Sequence, residues 1–399
     1  MEESGQDNSP ALPLENDHNV YILGAGFSAE GGLPVVSDFL NRMRDSHPWL
    51  VQQGRKEEAS AIQSVLNFRR KATSATYWTK IDLENIEELF SLASIKSKPD
   101  TSGLVSSIRL AIAATIDYTW STFPQKTIPL IFQADGRRGA DARNIFPSVP
   151  SWFTKQSNYA DGVYDVPLYA YFAGRLLGLF WKGDIVGQNT FITFNYDTLL
   201  EDALGIMKIP FGYGFEPDTV QFDETATASQ KVQAINILKL HGSVNIESPF
   251  LPINTLYKPK VFGSYQQVPK HHAGPDLLPP TWNKRVTTHL QDVWSFAVEQ
   301  LKTATRIIVV GFSMPATDVH FKYLLGAGLK ENISLRQIVF INSDSETVKK
   351  RALDIFRGEH VAGKKMTFED FTFRKYLARM DLTDCIGRPA NRATLWHAG

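Results

Sequence analysis

The sequence predicts an α/β fold with a doubly wound, mostly parallel, Rossmann-like sheet, and the first observation behind this prediction is a recurring local pattern. Short apolar runs along the chain each stop at small or polar residues. Several runs are apolar on consecutive residues, as expected of parallel strands that helices cover on both faces. The runs and the residues that follow them are VYIL before Gly24, TFITF before Asn195, INILKL before His241, RIIVV before Gly311 and QIVFI before Asn342.

The second observation is that helical patterns alternate with these runs. The segments DTLLEDALG, DVWSFAVEQLKTA and DVHFKYLLGAGL lie between or beside the predicted strands. Alternation of strand and helix implies a doubly wound sheet. Ligands of such sheets bind at the carboxyl ends of the strands, and those ends carry nearly all the small and reactive residues of the core segments. The sequence therefore predicts a nucleotide site at this edge of the sheet.

A long helical stretch interrupts the strands and sets the domain organisation. Residues from about 41 to 183 contain amphipathic or buried helical patterns, so we expect a large helical subdomain inserted after the first strand. An irregular, Pro-rich region follows at about 247–283, and the run MTFEDFTF predicts one more strand near the C-terminus. Residues 1–18 are acidic and polar, and we expect a disordered lead-in there. The remainder, 19–399, is predicted to be one nucleotide-binding domain that contains both insertions.

Composition excludes several classes of partner and site. The 399 residues include 42 Lys plus Arg and 42 Asp plus Glu, a balance that favours neither direct nucleic-acid binding nor an anionic membrane. No apolar run approaches the roughly 18 residues of a membrane span, and the N-terminus lacks the regions of a secretory signal. The single cysteine, Cys385, excludes an internal disulfide and a cysteine zinc site. The neighbours His271 and His272 lack partner ligands at fixed spacing, so we expect no metal and a reducing, cytoplasmic location.

The turn after the first run, Gly24 to Ala29, fits the pattern Gly-x-Gly-x-x-Ala of dinucleotide-binding turns. The glycines let the backbone approach a pyrophosphate, and Ser28 adds a hydroxyl donor. Taken alone, the motif divides about evenly between a phosphate site and an ordinary turn. A dehydrogenase site is excluded, because no strand ending in an acid follows about 20 residues later. Residues 31–34, GGLP, predict instead an early helix break and a mobile loop beside the ligand.

Polar residues follow the second and third runs. Asn195 and Asp197 lie just past a strand end, and Asp197 is equally well explained as a cap of the next helix. Asn195 is less easily explained in that way. A lone His at a strand end is more often a satisfied core residue than a catalyst. His241, however, shares the predicted sheet edge with Asn195, and the adjacent Gly242 permits close approach of a ligand.

Five short motifs, taken in order, resemble those of the sirtuins, an NAD-consuming α/β family. The motifs are GAGFSAEGGLP, TFNYD, LHG, GFS and IN. The chain lacks the Cys-x-x-Cys pairs of the sirtuin zinc module, it has Val-Val-Ser at 35–37 in place of Asp-Phe-Arg, and it has Phe194 in place of Gln. With NIEELFS at 85–91, these departures resemble the zinc-free, sirtuin-like branch of prokaryotic proteins, which is associated with NAD hydrolysis in anti-phage defence.

The resemblance and the chemistry of NAD cleavage together imply a role for each predicted site residue. Asn195 and His241 would be catalytic, with Asn195 holding a ribose hydroxyl and a water and His241 accepting a proton. Asp197 would bind the carboxamide of nicotinamide. The remaining predicted contacts to NAD are Gly24, Ala25, Gly26 and Ser28 at the pyrophosphate, Gly311, Ser313 and Asn342 at the adenosine half, and Phe27, Leu33, Pro34, Phe312 and Ser343 beside them.

The predicted function is therefore hydrolysis of NAD to nicotinamide and ADP-ribose, without a metal, by the toxic effector of an anti-phage system. Two further functions stay open, namely an NAD-dependent protein deacylase or ADP-ribosyltransferase, and a non-catalytic NAD or ADP-ribose sensor. A freely active NAD hydrolase would harm its own cell, so we expect regulation. The expected partners are further copies of the chain in a homo-oligomer and an activator encoded nearby, such as a ring-forming ATPase.

Overall fold

The computed structural model describes most of the chain. Asp17 and His18, at the end of the expected lead-in, are buried, whereas His271, His272 and Cys385 lie outside the described residues. Within the described part, none of the helices combines the length and the apolar composition that a membrane span requires. The described residues are 17–96, 103–131, 149–155, 163–177, 188–216, 218–228, 235–247, 258–270, 274–281, 287–315, 318–356, 360–361 and 364–377.

The strands range from two to seven residues in length. In chain order they are β1 (His18–Leu23), β2 (Thr127–Ile131), β3 (Thr154–Lys155), β4 (Val163–Pro167), β5 (Gln188–Thr193), β6 (Phe211–Gly212), β7 (Gln221–Phe222), β8 (Ile235–Lys239), β9 (Gly242–Glu247), β10 (Lys260–Val261), β11 (Pro275–Leu277), β12 (Arg306–Val310), β13 (Gln337–Asn342), β14 (His360–Val361) and β15 (Lys364–Asp370).

The helices lie mostly between β1 and β5 and in the second half of the chain. In chain order they are α1 (Ala25–Ala29), α2 (Phe39–Gln52), α3 (Lys56–Lys71), α4 (Ile86–Lys96), α5 (Leu104–Thr122), α6 (Leu168–Leu176), α7 (Leu199–Ile206), α8 (Thr288–Thr303), α9 (Val319–Leu329) and α10 (Ser345–Ile355), and two short 3-10 helices span Ala72–Tyr77 and Tyr265–Gln267.

The largest sheet has the strand order β14-β15-β13-β12-β1-β5-β8-β6. Its neighbouring strands are parallel, except for β14 against β15. The last residue of β1, Leu23, is level with Val310 of β12 and Thr193 of β5. The chain runs outward from β1 to β5 and β8 and then returns to β12 on the other side. The predicted α/β fold class is confirmed, and the topological switch point, where such sheets bind ligands, lies at the end of β1.

The apolar runs of the sequence form the core of this sheet. The five runs and MTFEDFTF correspond to β1, β5, β8, β12, β13 and β15. Val20, Tyr21 and Ile22 of β1 have no exposed surface, and residues 307–310 of β12 are almost as buried. Because both faces of these strands are covered, consecutive apolar residues are favoured over an alternating pattern.

Between β1 and β5 the chain forms the expected helical layer, in which α2, α3 and α5 pack on one another. The helical interpretation of this stretch was incomplete, because β2, β4 and β3 form a small antiparallel sheet in that order. The region expected to be irregular, about 247–283, also contributes short strands. β10 and β11 join β9 and β7 in a four-stranded sheet of order β11-β9-β10-β7. Strands of two to five residues give too little periodicity to be recognised from the sequence.

A buried charged cluster fastens the helical layer to this four-stranded sheet. Arg55 forms ion pairs with Glu58 on α3 and with Asp117 on α5. The phenol of Tyr265, which lies next to β10, donates a hydrogen bond of 2.9 Å to Oε1 of Glu58. Glu58 and Tyr265 are both buried. Their hydrogen-bonding groups must therefore be satisfied by each other, because water does not reach them.

We expect Tyr265→Phe to lower the free energy of unfolding by about 1–2 kcal/mol, because the buried Glu58 carboxylate loses a hydrogen-bond donor. Denaturant unfolding measures this difference. The matched control is Tyr323→Phe, whose side chain is 71% exposed and whose effect should stay within about 0.5 kcal/mol. Equal effects of the two substitutions would contradict a role for the cluster in fastening the layers.

Candidate active site

A cleft of about 570 Å³ lies at the carboxyl ends of β1, β5, β12 and β13. All the residues predicted to form the site line this cleft, with the exception of Phe27. Those that line it are Gly24, Ala25, Gly26, Ser28, Leu33, Pro34, Asn195, Asp197, His241, Gly311, Phe312, Ser313, Asn342 and Ser343.

Phe27 points away from the cleft and anchors the first turn in the core. Its ring packs against Tyr169, Phe172 and Phe373, with centroid distances of 5.0, 5.5 and 4.5 Å. Its carbonyl accepts a hydrogen bond of 2.8 Å from the Tyr169 phenol. The side chain of Phe27 therefore holds the turn in place rather than offering a surface to a ligand.

The glycines of the first turn make close contact with the turn that follows β12. A Cβ on Gly24 would lie 2.4 Å from Cα of Phe312, and one on Gly26 would lie 2.8 Å from Cα of Gly311. The Gly24 and Gly26 N–H groups donate to the carbonyls of Val310 and Gly311 at 3.0 and 2.8 Å. Close approach of the two backbones therefore requires glycine here, before any ligand is considered.

The helix after this turn is short, as the sequence predicted. α1 has five residues. Just beyond its end, the N–H groups of Gly31 and Leu33 both donate to the carbonyl of Ser28, which lies within the helix. Gly32 has φ of +87°, in the left-handed region that favours glycine. The chain then bends so that Leu33 and Pro34 line the cleft, together with residues 35–37, Val-Val-Ser.

A chain of hydrogen bonds joins the turn after β1 to the turn after β5. The amide nitrogen Nδ2 of Asn195 donates to the Gly24 carbonyl at 2.8 Å and to Oγ of Ser28 at 2.9 Å. Ser28 Oγ in turn donates to Oδ2 of Asp197 at 2.7 Å. These contacts orient the Asn195 amide, because its nitrogen faces a carbonyl oxygen and its oxygen Oδ1 is left as an acceptor.

Asp197 combines the two roles that the sequence left open. Its Oδ1 accepts the N–H of Leu199, the first residue of α7, at 3.2 Å, while Thr198 occupies the N-cap position. Its Oδ2 belongs to the chain with Ser28, and the residue lines the cleft. Asp197 therefore bonds to the start of α7 from one residue before the N-cap, and this contact does not remove it from the cleft.

A buried ion pair holds the backbone of Asp197 in position. Lys239 on β8 and Glu201 on α7 are almost completely buried, with Nζ and Oε1 2.9 Å apart. Nζ of Lys239 also donates to the Asp197 carbonyl. Burial raises the pKa of Glu201, and the nearby Lys239 lowers it in part. On the same helix, burial, with a contribution from the Glu201 carboxylate, raises the pKa of Asp202 to about 7.

His241 occupies the tight turn between β8 and β9. Gly242 has φ of +80°, and a Cβ there would lie 2.0 Å from the Asp276 carbonyl oxygen, so only glycine fits. The imidazole packs edge-on against Phe194 with centroids 5.0 Å apart. Phe194 also stacks on Phe312 at 4.7 Å. The residue that replaces the sirtuin Gln thus forms an apolar floor beside the His241 ring.

Several acidic residues of the cleft escaped the sequence interpretation. Nε2 of His241 lies 4.0 Å from Oδ2 of Asp318, the residue that precedes α9. The helical insertion brings further carboxylates and an amide to the cleft, namely Asp82, Glu84, Asn85 and Glu87. The signals in the sequence were the segment NIEELFS, used only as a mark of resemblance, and the Asp that opens DVHFKYLLGAGL.

The far end of the cleft is formed by Ser313, Asn342 and Ser343. The Asn342 side-chain oxygen accepts the N–H of Asp344 at 3.0 Å. Nη1 of Arg351 donates to the Ser313 carbonyl at 2.7 Å. These contacts fix the turns after β12 and β13 against each other. The residues predicted for the adenosine side therefore line the same cleft as Asn195 and His241.

Part of the chain is similar to a known protein family. A family model described as a SIR2-like domain matches residues 189–361. The matched residues make up less than half of the chain. The match spans β5, β8, β12 and β13 with the turns that hold Asn195, His241 and Gly311, whereas β1 and the Gly24 turn lie before it. No curated protein matches the sequence.

Solved structures of Sir2 proteins resemble the chain at low sequence identity. One is a Sir2 bound to an inhibitor, 2′-O-acetyl-ADP-ribose and a deacetylated peptide, at 12% identity, TM-score 0.34 and 91% coverage of both chains. Another, a mutant Sir2 homologue in complex with 2′-O-acetyl-ADP-ribose, has 13% identity, TM-score 0.34, and coverage of 92% of this chain and 91% of the other. At this level of likeness, the chemistry of the site has to be inferred from the residues of this chain.

The raised pKa of Asp202 predicts a pH-dependent effect on stability. Its folded pKa of about 7 exceeds the usual value of 3.8, so between these values the folded state binds a proton that the unfolded state has released. Stability therefore falls as pH rises through this window, and the full cost is present above pH 7. We expect Asp202→Asn to raise the melting temperature at pH 8 and to match the wild type near pH 4.

The control for this measurement is Asp45→Asn, at an exposed position on α2. Its melting temperature relative to the wild type should not vary between pH 4 and pH 8. An Asp202→Asn protein that is less stable than the wild type at pH 8 would show that the half-buried Asp202 carboxylate is stabilising, contrary to the prediction.

Proposed function

We propose that the chain hydrolyses NAD, breaking the bond between nicotinamide and ribose to give nicotinamide and ADP-ribose. The observation that carries the proposal is that one cleft, at the switch point of the sheet, is lined by both Asn195 and His241. The SIR2-like domain supports the use of NAD. Asn195 is held by two hydrogen bonds from its amide nitrogen, so its side chain is ordered before a substrate arrives.

The reaction needs little help from a general acid, and it depends mainly on the correct positioning of the ribose and of the attacking water. Nicotinamide leaves from a cationic nitrogen, and the transition state resembles an oxocarbenium ion. Oδ1 of Asn195 can accept a hydrogen bond from a ribose hydroxyl or from the attacking water. His241 can take a proton from either of them near neutral pH. The apolar floor formed by Phe194 and Phe312 limits competing water beside the imidazole.

The charge of the cleft favours a cationic ligand at one end. Among the described residues that line it there is no Lys or Arg, and the charged ones are acidic. Such a lining suits the positive nicotinamide ring and the positive transition state. ADP-ribose carries two phosphates and no cation, so this lining argues against a sensor of ADP-ribose, although not against a sensor of NAD. The acidic residues are Asp82, Glu84, Glu87, Asp197 and Asp318.

A protein deacylase and an ADP-ribosyltransferase would each need a second substrate in addition to NAD. A zinc module of the sirtuin type requires cysteines that this chain lacks, since Cys385 is the single one. Water is therefore the acceptor that we propose. Among the described residues, no cluster of three or more potential metal ligands occurs. The chemistry proposed here uses no metal.

We expect Asn195→Ala and His241→Ala each to lower nicotinamide release from NAD by ~10² to 10⁴, because each removes a group that holds or deprotonates the reacting atoms. The assay measures free nicotinamide with and without peptide, and the wild-type rate should survive added chelators. His47→Ala on α2 and Asn67→Ala on α3 lie outside the cleft and should retain the wild-type rate.

Melting curves of the same variants separate catalysis from folding. Neither variant should melt far below the wild type, since neither side chain fills an apolar core; Asn195→Ala loses two hydrogen bonds and should cost about 1–2 kcal/mol. A variant that melts far below the wild type would make that residue structural and overturn its assignment. Nicotinamide release only in the presence of a peptide would favour the deacylase or transferase, and no cleavage at all would favour the sensor.

We further propose that the activity serves as a toxic effector in anti-phage defence and is controlled by assembly. The support is the resemblance at NIEELFS and the large helical insertion, which leaves Tyr77 and Trp78 highly exposed. The isolated chain should form a homo-oligomer, and NAD turnover should change with assembly state or with an activator such as a ring-forming ATPase. Sedimentation combined with an NAD assay across protein concentration tests this. A fully active monomer would contradict it.

A further inference from the structure

We infer that Asp318 is a positioning residue for His241, whose carboxylate orients the imidazole and stabilises the imidazolium formed during NAD cleavage. This inference rests on the proposed function. Asp318 lies in the turn between β12 and α9, more than 70 residues from His241 in the sequence, and the fold brings the two side chains together.

The geometry places the two groups as a shielded pair at the cleft. Nε2 of His241 and Oδ2 of Asp318 are 4.0 Å apart, and the side chains are only 6% and 7% exposed. This distance is that of an ion pair when the imidazole is protonated, and it is longer than a hydrogen bond. Catalytic contacts of this kind commonly tighten when a substrate binds. Because both groups are shielded from water, their mutual attraction is screened little.

The orientation of Asp318 differs from that of an ordinary helix cap. Asp318 occupies the N-cap position of α9, yet its side chain accepts no capping hydrogen bond. Asp344 occupies the same position before α10, and its carboxylate accepts the N–H of Thr347 at 3.3 Å. A capping aspartate normally bonds to its own helix in this way. The Asp318 carboxylate instead lines the cleft and faces His241.

The other charged or titratable groups around His241 come from two elements, the turn after β5 and helix α4. Tyr196, after β5, donates from its phenol to the Leu278 carbonyl at 2.6 Å. Burial raises the pKa of Tyr196, and the carboxylates of Asp318 and of Glu87 on α4 raise it further. Asp197, in the same turn, accepts hydrogen bonds from the Ser28 hydroxyl and from the Leu199 N–H. Tyr196 therefore stays neutral, and of the three carboxylates Asp318 is the one in ion-pair contact with the imidazole.

The pair has a defined task in the reaction. The bond between C1′ and the nicotinamide nitrogen breaks with its electron pair leaving on nicotinamide, and the water oxygen forms the new bond to C1′. The water proton passes to His241, which becomes an imidazolium in a site with little access to solvent. A carboxylate facing Nε2 holds the ring in one orientation and favours a proton on that atom. The same carboxylate then balances the new positive charge.

The first experiment compares Asp318→Asn with the matched cap variant Asp344→Asn, by measuring kcat and KM for NAD across pH. Asp318→Asn should lower kcat at pH 8 by ~10- to 100-fold with little change in KM. The acid limb of its pH profile should move to lower pH by about one unit, because the neutral imidazole is no longer disfavoured by a nearby carboxylate. Asp344→Asn should change neither. An Asp318→Asn profile that falls equally at all pH values would overturn the inference.

Asp318→Glu supplies a second test that keeps the charge. Its acid limb should stay at the wild-type pH while its rate falls because the carboxylate is displaced. An acid limb that moves as it does in Asp318→Asn would exclude an electrostatic role for the carboxylate. This variant also carries the test if Asp318→Asn does not fold.

An NMR titration of the His241 ring in the full chain without NAD separates this inference from the proposed function. The imidazole should titrate at lower pH in Asp318→Asn than in the wild type, whether or not the protein cleaves NAD. An unchanged titration would overturn the pairing. A shifted titration in a protein that releases no nicotinamide would retain the pairing and reject the hydrolase.

Discussion

The contact between the turns after β1 and β12 is the constraint on which the rest of the site depends. The two backbones approach so closely that neither Gly24 nor Gly26 could carry a Cβ without meeting residues 311–312. This contact closes the gap between the two halves of the sheet at the switch point, where a doubly wound fold otherwise leaves a crevice. The cleft therefore lies beside this contact rather than within it, and the backbone of the two turns lines it together with the rings of Phe194 and Phe312. A glycine motif that resembles a phosphate site is in this protein first of all a packing requirement.

Side-chain hydrogen bonds link the turn after β1 to the turns at the ends of the neighbouring strands. Asn195 fixes the turn after β5 to the Gly24 carbonyl, and Ser28 fixes Asp197 to α1. Lys239 then fastens the backbone of Asp197 to β8, one strand further out. Its ion pair with Glu201 is buried, and removing one partner of such a pair is costly because the other charge stays behind. The turns at this edge are consequently joined into one unit, so Asn195 and Asp197 keep fixed positions relative to the turn after β1.

The strands and the residues at their ends could be predicted from the sequence because one physical cause determines both. Strands covered on both faces must be continuously apolar, and the polar or small residue that ends each run is therefore visible and lies at one edge of the sheet. Asn195 and His241 were found in this way, although their roles in catalysis stay predictions. Glu87 could not be found similarly, because it reaches the cleft only through the packing of α4 within the inserted helical layer. Asp318 follows a strand, but an aspartate before a helix is explained by capping, and only the structure shows that its carboxylate is not used as a cap.

If the chain hydrolyses NAD as proposed, the distribution of charge along the cleft determines which acidic groups would favour binding of NAD and which would favour its cleavage. The ground state already carries a positive charge on the nicotinamide ring, so acidic groups at that end stabilise substrate and transition state alike. What distinguishes the transition state is that the charge moves from the ring toward the ribose, while a proton moves to the imidazole. A carboxylate near the nicotinamide, such as Asp197, thus contributes mainly to binding. A carboxylate next to His241, such as Asp318, acts on charge that exists only once the reaction has begun, and it therefore contributes to the rate rather than to affinity.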